Sequence, residues 1–224
     1  MGYTRFRGWR LRKIWTLNYA PDMPAAGIYP DRSYVKSPWT EQVVGGCDGA
    51  WHLYNPESNS WTPNIASGDV GSFAGYSYRP LAIEPVSNVC VFGESGSLAS
   101  PKLIELDTFT KRTSGSWTGP AVTSGRFNGS DVSLAWDDDN LCFWALKARA
   151  TTDATFNLFK ITLVDKVTCT LFVEEIAVAG SSRPSFENMA TSINKFKWVP
   201  ELGGLVLSTG YNAPIFFVKT SEKA

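Results

Sequence analysis

The feature that most constrains this chain is a loose internal period carried by short apolar and β-branched runs. Four such runs occur, at Trp51-His52-Leu53-Tyr54, Leu103-Ile104-Glu105-Leu106, Leu158-Phe159-Lys160-Ile161 and Ile215-Phe216-Phe217-Val218. Their last residues are separated by 52, 55 and 57 positions. A second series keeps phase upstream and closes each time on a small residue: Val44-Gly45, Phe92-Gly93, Trp144-Ala145 and Leu207-Ser208. A third opens each unit at Tyr34-Val35-Lys36, Tyr78 to Ala82, Val132 to Trp136 and Phe196 to Val199. Several short strands per unit at such a period, broken by turn residues, are the pattern of a β-propeller, whose blades are small sheets arranged around an axis. The small residue suits the narrow inner part of a blade, where a side chain would crowd its neighbours.

An outermost strand is expected to end each unit, and Trp61-Thr62, Trp117-Thr118 and Phe172-Val173 stand where it belongs. The fourth unit has none before Ala224, whereas Thr4 to Thr16 reads as a strand with no inner strands before it. The two deficits are complementary. Pairing the N-terminal strand onto the C-terminal three would close the ring and remove two unpaired edges. The expected fold is therefore all-β: one propeller domain over 1–224, with blades at about 33–62, 77–118, 131–176 and 193–219, the last completed by a strand at about 4–17. A rival arrangement keeps these strands in a partial propeller that completes its ring by oligomerising. The one ambiguous helical stretch is Glu187 to Ile193.

Composition sets the outer limits. With 224 residues and 43% apolar side chains the chain can bury a core without disulfide or metal support. Lys plus Arg equals Asp plus Glu at 21 each, so no global charge draws it to nucleic acid or to an anionic membrane. The four cysteines, Cys47, Cys90, Cys142 and Cys169, form no CxxC pair, and His52 is the single histidine. This argues against zinc, and no cofactor is expected. Cys90 and Cys142 lie inside apolar runs and read as buried free thiols. No apolar run approaches the roughly 18 residues of a membrane span, and no apolar stretch of a signal peptide follows the first residues. The expectation is a soluble chain, cytoplasmic or virion-associated.

Tyr54-Asn55-Pro56-Glu57-Ser58-Asn59-Ser60-Trp61 resembles the strand, turn and Trp that end a kelch repeat, and Val43-Val44-Gly45-Gly46 resembles its diglycine. Trp15 followed by Met23-Pro24-Ala25-Ala26 is similar to the connection between kelch blades. The second unit keeps one glycine, Gly93, and the last two lack the diglycine, so the chain as a whole resembles degenerate kelch-like propellers such as the galactose-oxidase-type central domain. That resemblance implies a fold, with partner binding by loops as its usual role. It transmits no particular activity.

No constellation reads as catalytic. Copper chemistry of the galactose-oxidase kind needs two histidines, and the chain has one. His52 alternates with Leu53 in a strand and reads as structural. Ser67-Gly68-Asp69-Val70-Gly71-Ser72-Phe73 is one residue short of the Asp-box turn of sialidase-like propellers and reads as a connection between blades. Asp137-Asp138-Asp139 with Asn140 offers oxygen ligands for calcium, but Asp and Asn are also the ordinary residues of a tight turn. Arg5, Arg7, Arg10, Arg12 and Lys13, interleaved with Phe6, Trp9 and Leu11, suit base stacking with phosphate contacts, yet an outer strand with one packed and one charged face has the same pattern. In the proposed ring, the loops after each second strand and those between blades share one face. That face gathers Arg32, Asp48, Glu94, Arg126, Arg149, Arg183, Tyr211 and Asn212 as candidate ligand-binding residues. The reading is a non-enzymatic binding or assembly module for a protein or glycan partner. The alternatives are a structural component of a larger assembly such as a phage virion or tail, and a carbohydrate-active enzyme using loop-face carboxylates.

Overall fold

The computed structural model describes residues 33–37, 42–47, 50–67, 81–94, 97–127, 132–148, 156–179, 196–208 and 215–220. These residues form four small sheets and one short helix. The first sheet is β1 (Ser33–Lys36), β2 (Val43–Cys47), β3 (Ala50–Asn55) and β4 (Ser60–Ser67), paired in that order. The second is β5 (Leu81–Glu84), β6 (Val89–Glu94), β7 (Ser97–Glu105) and β8 (Lys111–Arg112). The third holds β10 (Val132–Asp137), β11 (Cys142–Ala148), β12 (Phe156–Asp165) and β13 (Thr170–Ile176), and at its edge β9 (Ser116–Thr118). The fourth is β14 (Phe196–Val199), β15 (Gly204–Ser208) and β16 (Ile215–Lys219). Each sheet is an antiparallel meander except where β9 runs parallel to β13. The N-terminal strand at about 4–17, the Glu187 to Ile193 stretch and the Gly68 to Phe73 part of the near-Asp-box lie outside the described residues.

The period-2 alternation of the strands decides how the sheets stack. In the second sheet Leu81, Ile83, Cys90, Phe92 and Ile104 face the first sheet, where they meet Val44, Trp51, Leu53 and Ile65. Their alternates, Ala82, Val89, Val91 and Leu103, face the third sheet and meet Val132, Leu134, Phe143, Ala145, Phe159 and Ile161. The third sheet's remaining positions, Ala135, Cys142, Trp144, Leu146 and Leu158, pack on Phe196, Leu205 and Leu207 of the fourth. The two middle sheets thus bury both faces, which is why their strands read as near-continuous apolar runs. The opening strands neighbour one another in sequence order: β1 beside β5, β5 beside β10, and β10 beside β14. The described strands do not by themselves form a closed ring.

The segment after the second sheet departs from the expected pattern. Trp117-Thr118, expected as the outermost strand of the second unit, instead belongs to β9 on the third sheet, while Lys111–Arg112 pairs with β7. Gly115 makes the crossing possible. A Cβ there would sit 2.5 Å from the Cys169 carbonyl oxygen and 2.6 Å from that of Pro101. Gly115 N donates to Pro101 O at 2.9 Å, and Ser116 N donates to Cys169 O at 3.1 Å. Trp117 then packs on Phe127 with ring centroids 4.8 Å apart, and the single-turn helix α1 (Pro120–Thr123) lies against β13. The result covers an edge of the sheet that would otherwise invite pairing with another chain.

The tight hairpins share one construction. In β3–β4, β5–β6, β10–β11 and β12–β13 a residue with a side-chain acceptor ends the incoming strand and the fifth residue, counted from it, takes a left-handed backbone, whereas β14–β15 leaves from Val199 and shares only the left-handed residue. Asn55 Oδ1 accepts from Glu57 N, Glu84 accepts from Val86 N and Ser87 N, and Asp165 accepts from Val167 N and Thr168 Oγ1. The turns close on Asn59, Asn88, Leu141, Cys169 and Gly203, at φ of 49°, 50°, 48°, 51° and 60°. Asn and Gly tolerate this region, whereas a branched side chain is strained there by about 1–2 kcal/mol. Leu141 and Cys169 are neither Asn nor Gly, and of the two Leu141 is 52% exposed and so gains little from burial. Replacing Leu141→Gly is expected to stabilise the protein by about 0.5–1 kcal/mol. An unchanged or lowered urea midpoint for this variant would show that the turn does not hold the backbone described.

Candidate functional site

Strand alternation gives each sheet two unlike ends. The tight hairpins β5–β6, β7–β8, β10–β11 and β12–β13 lie at one end, and the β6–β7 and β11–β12 connections at the other. The tight ends of the second and third sheets point the same way, since Lys166 Nζ lies 3.3 Å from Glu105 Oε2 and Arg112 Nε donates to Val167 O at 2.6 Å. Their loop ends therefore also lie on one side.

Two of the eight candidate residues fall within the described part of the chain. Glu94 ends β6 and pairs in register with Ser97 at the loop end of the second sheet. Arg126 follows α1 at the loop end of the third sheet, where its guanidinium donates to Glu175 Oε2 at 2.8 Å. Asn157 Nδ2 donates to the other Glu175 oxygen at 2.7 Å. Arg126 thereby pins the 113–127 connection to β13, and its side chain remains 66% exposed. Arg32, Asp48, Arg149, Arg183, Tyr211 and Asn212 lie outside the described residues. Glu175 and Asn157 escaped the sequence reading because each looks like an ordinary polar strand position. Their convergence depends on the β12–β13 register and on the path of the chain after β9.

Asp137 is a buried structural tie. Its Oδ1 accepts from Asp139 N at 2.9 Å and Asn140 N at 3.0 Å, and its Oδ2 accepts from Asn140 Nδ2 at 2.8 Å and Trp144 Nε1 at 2.7 Å. Asp138 Oδ1 accepts from Trp136 Nε1 at 2.7 Å. Four donors occupy the Asp137 carboxylate, so the turn reading of Asp137-Asp138-Asp139 has direct support. Among the described residues no group of three or more His, Cys, Asp or Glu side chains is placed to hold a metal ion. Asp137→Ala is expected to cost about 2–3 kcal/mol, because it strands the buried Trp144 N–H and two turn amides. Guanidinium titration of the variant checks this, and a loss under 0.5 kcal/mol would refute the tie.

His52 is fully buried in β3 opposite Gly45, with Trp61 edge-on at 6.5 Å. Burial lowers its pKa from 6.5. Cys90, Cys142 and Cys169 are buried free thiols, and burial pushes the last two up to about 12 and Cys90 further. Such thiols are poor nucleophiles at neutral pH. For His52 the unfolded chain takes up a proton before the folded one does. Its contribution to stability is therefore complete above pH 6.5 and declines as pH falls from there through the lowered folded value. The thermal midpoint is expected to drop between pH 7 and pH 5, and His52→Asn to flatten that slope. An equal slope in wild type and variant would remove His52 as its source.

No family model matches the chain, and no curated protein matches it. No helix among the described residues is long and apolar enough to cross a membrane.

Proposed function

We propose that the four sheets are the blades of a kelch-like propeller closed by the N-terminal strand at about residues 4–17, and that the protein is a non-enzymatic binding or assembly module. The partner is a protein or glycan taken on the loop-bearing end. The observation that carries this reading is the serial stacking. Consecutive sheets share apolar faces, and their opening strands adjoin in order, β1 to β5 to β10 to β14. Stacking of this kind turns four separate sets of loops into one surface on a rigid support. The kelch-like letters around Val43-Val44-Gly45-Gly46 and Trp61 point to the same architecture.

Chemistry at the described loop ends favours recognition over catalysis. The Arg126, Glu175 and Asn157 group is joined by two hydrogen bonds to the Glu175 carboxylate and fastens a chain segment to β13. It offers no nucleophile beside a base. Recognition is left to the remaining candidates, whose arginines, carboxylate and tyrosine suit acidic peptides or hydroxyl-rich sugars.

Screening the intact protein against glycan and peptide arrays is expected to return a ligand without turnover. Arg149→Ala and Tyr211→Ala should then weaken binding at least tenfold while leaving the thermal midpoint unchanged. Binding that ignores these substitutions but is lost with substitutions at the tight-turn end would overturn the loop-end assignment. So would sustained hydrolysis of the bound glycan.

A further inference from the structure

The tips of the tight hairpins break the ordinary rule for turns. A hairpin tip stands in water and favours polar residues, because an apolar side chain there gains nothing from folding. Val86 in the β5–β6 turn, Leu141 in the β10–β11 turn and Val167 in the β12–β13 turn are nonetheless aliphatic, and they are 58%, 52% and 61% exposed. The β14–β15 turn repeats the feature with Leu202, which is 56% exposed. Leu141 adds a backbone cost, since it holds a φ of 48° that Asn or Gly adopts more easily. Scattered apolar residues on a surface need no explanation, but these recur at corresponding places. A side chain kept where it neither packs nor suits its backbone points to a use outside the fold.

Hydrogen bonds join the turns of the second and third sheets into one end surface. Leu106 N donates to Asn88 O at 2.9 Å, tying the β5–β6 turn to β7–β8, and Arg112 Nε donates to Val167 O at 2.6 Å, tying β8 to the β12–β13 tip. The β10–β11 hairpin stands beside the β5–β6 hairpin, because β10 and β11 both lie against β5. Charge is spread unevenly over this end. The turns that follow the opening strands, at residues 84–88, 137–141 and 199–203, contain no Lys or Arg, and they carry Asp138, Asp139 and Glu201. Asp138 accepts from Trp136 Nε1, a neutral donor that does not cancel its charge. Arg112 and Lys166, at the outer hairpins, are both drawn to Glu105, at 3.4 and 3.3 Å.

We propose that Val86 and Leu141, with Asp138 and Asp139, form a docking surface for a protein segment that carries both apolar and Lys or Arg side chains. Leu202 and Glu201 extend this surface on the blade reading above, in which successive opening strands run the same way. The surface lies at the opposite end from the loop candidates and adds a second partner, opposite in charge to the acidic peptides suited to the loops. Its chemistry selects the occupant. Aliphatic tips favour apolar contact, and the carboxylates beside them favour cations. The same acids repel the phosphates of nucleic acid and of an anionic membrane. A second copy using the same face would set acid against acid, so the partner is a different protein.

Fluorescence anisotropy of the intact chain with a labelled Leu/Lys amphipathic peptide tests this, beside a Leu/Glu peptide of the same pattern and a Ser/Lys peptide of the same charge. The Leu/Lys peptide is expected to bind, the Leu/Glu peptide not to bind, and the Ser/Lys peptide to bind about tenfold more weakly. Val86→Ser and Leu141→Gly should each weaken the Leu/Lys peptide by about fivefold. Asp138→Asn combined with Asp139→Asn should weaken it by a similar factor at low salt and have little effect at high salt. Leu141→Gly is the sharpest variant, because it is expected to raise the urea midpoint, which separates lost binding from lost folding. An unchanged thermal midpoint in Val86→Ser provides the same control. No binding of the Leu/Lys peptide, equal binding of the Leu/Glu peptide, or affinity indifferent to Val86→Ser and Leu141→Gly overturns the proposal. Arg149→Ala and Tyr211→Ala should leave this peptide's affinity unchanged, and a loss with either would overturn it too. The loop-end assignment is read from a different ligand and different variants, so the two fail separately.

Discussion

Burial on both faces of the second and third sheets is the constraint on which the rest of the structure depends. The second sheet has no solvent face to spare: Cys90, Phe92 and Ile104 point one way while Val89, Val91 and Leu103 point the other, all at 0–1% exposure, and the third sheet is covered on both faces except at its outer strands, where Val164 and Phe172 are exposed. A slip of one residue in β6 would exchange the two sets and put the wrong volumes against both neighbours at once. Strand register, sheet order and the adjacency of the opening strands are therefore locked together. Truncation of any of these large side chains would be felt across two interfaces.

The hairpins make that stack buildable. Four of the turns satisfy their own amides through an Asn, Glu or Asp at the end of the incoming strand. Asp137 carries this furthest by also accepting from Trp144 in the core, which joins a turn to the packing beneath it. At the opposite end the connections vary in length and composition. Among the described residues, Arg126 and its partners show how one of them is fastened down.

Edges complete the account. The chain spends residues 113–127 covering β13, using Gly115 and Gly119 where the backbone passes too close for a side chain. In the fourth sheet Ile215 and Phe217 of β16 are 73% and 48% exposed.

The strands, their order in each meander and their apolar character were legible in the sequence, because a period-2 pattern between Gly, Pro, Asn and Asp turns is a local signal. The opening, second and third strands lie at the runs that mark them in the sequence, save that the second unit opens on Leu81–Glu84, which shares only Leu81 and Ala82 with the expected Tyr78 to Ala82, and Asp137 through Asn140 form the turn their composition suggests. Only the tertiary structure decided that Trp117 joins the third sheet, that Arg126 is held by Glu175 and Asn157, and which faces of the outer strands stay uncovered. Those outcomes rest on contacts between residues about 50 positions apart in the chain, such as Arg126 with Glu175 and Ser116 with Cys169. Such pairings carry no local signature. They are set by which free edge and which apolar surface lie within reach once the sheets have stacked.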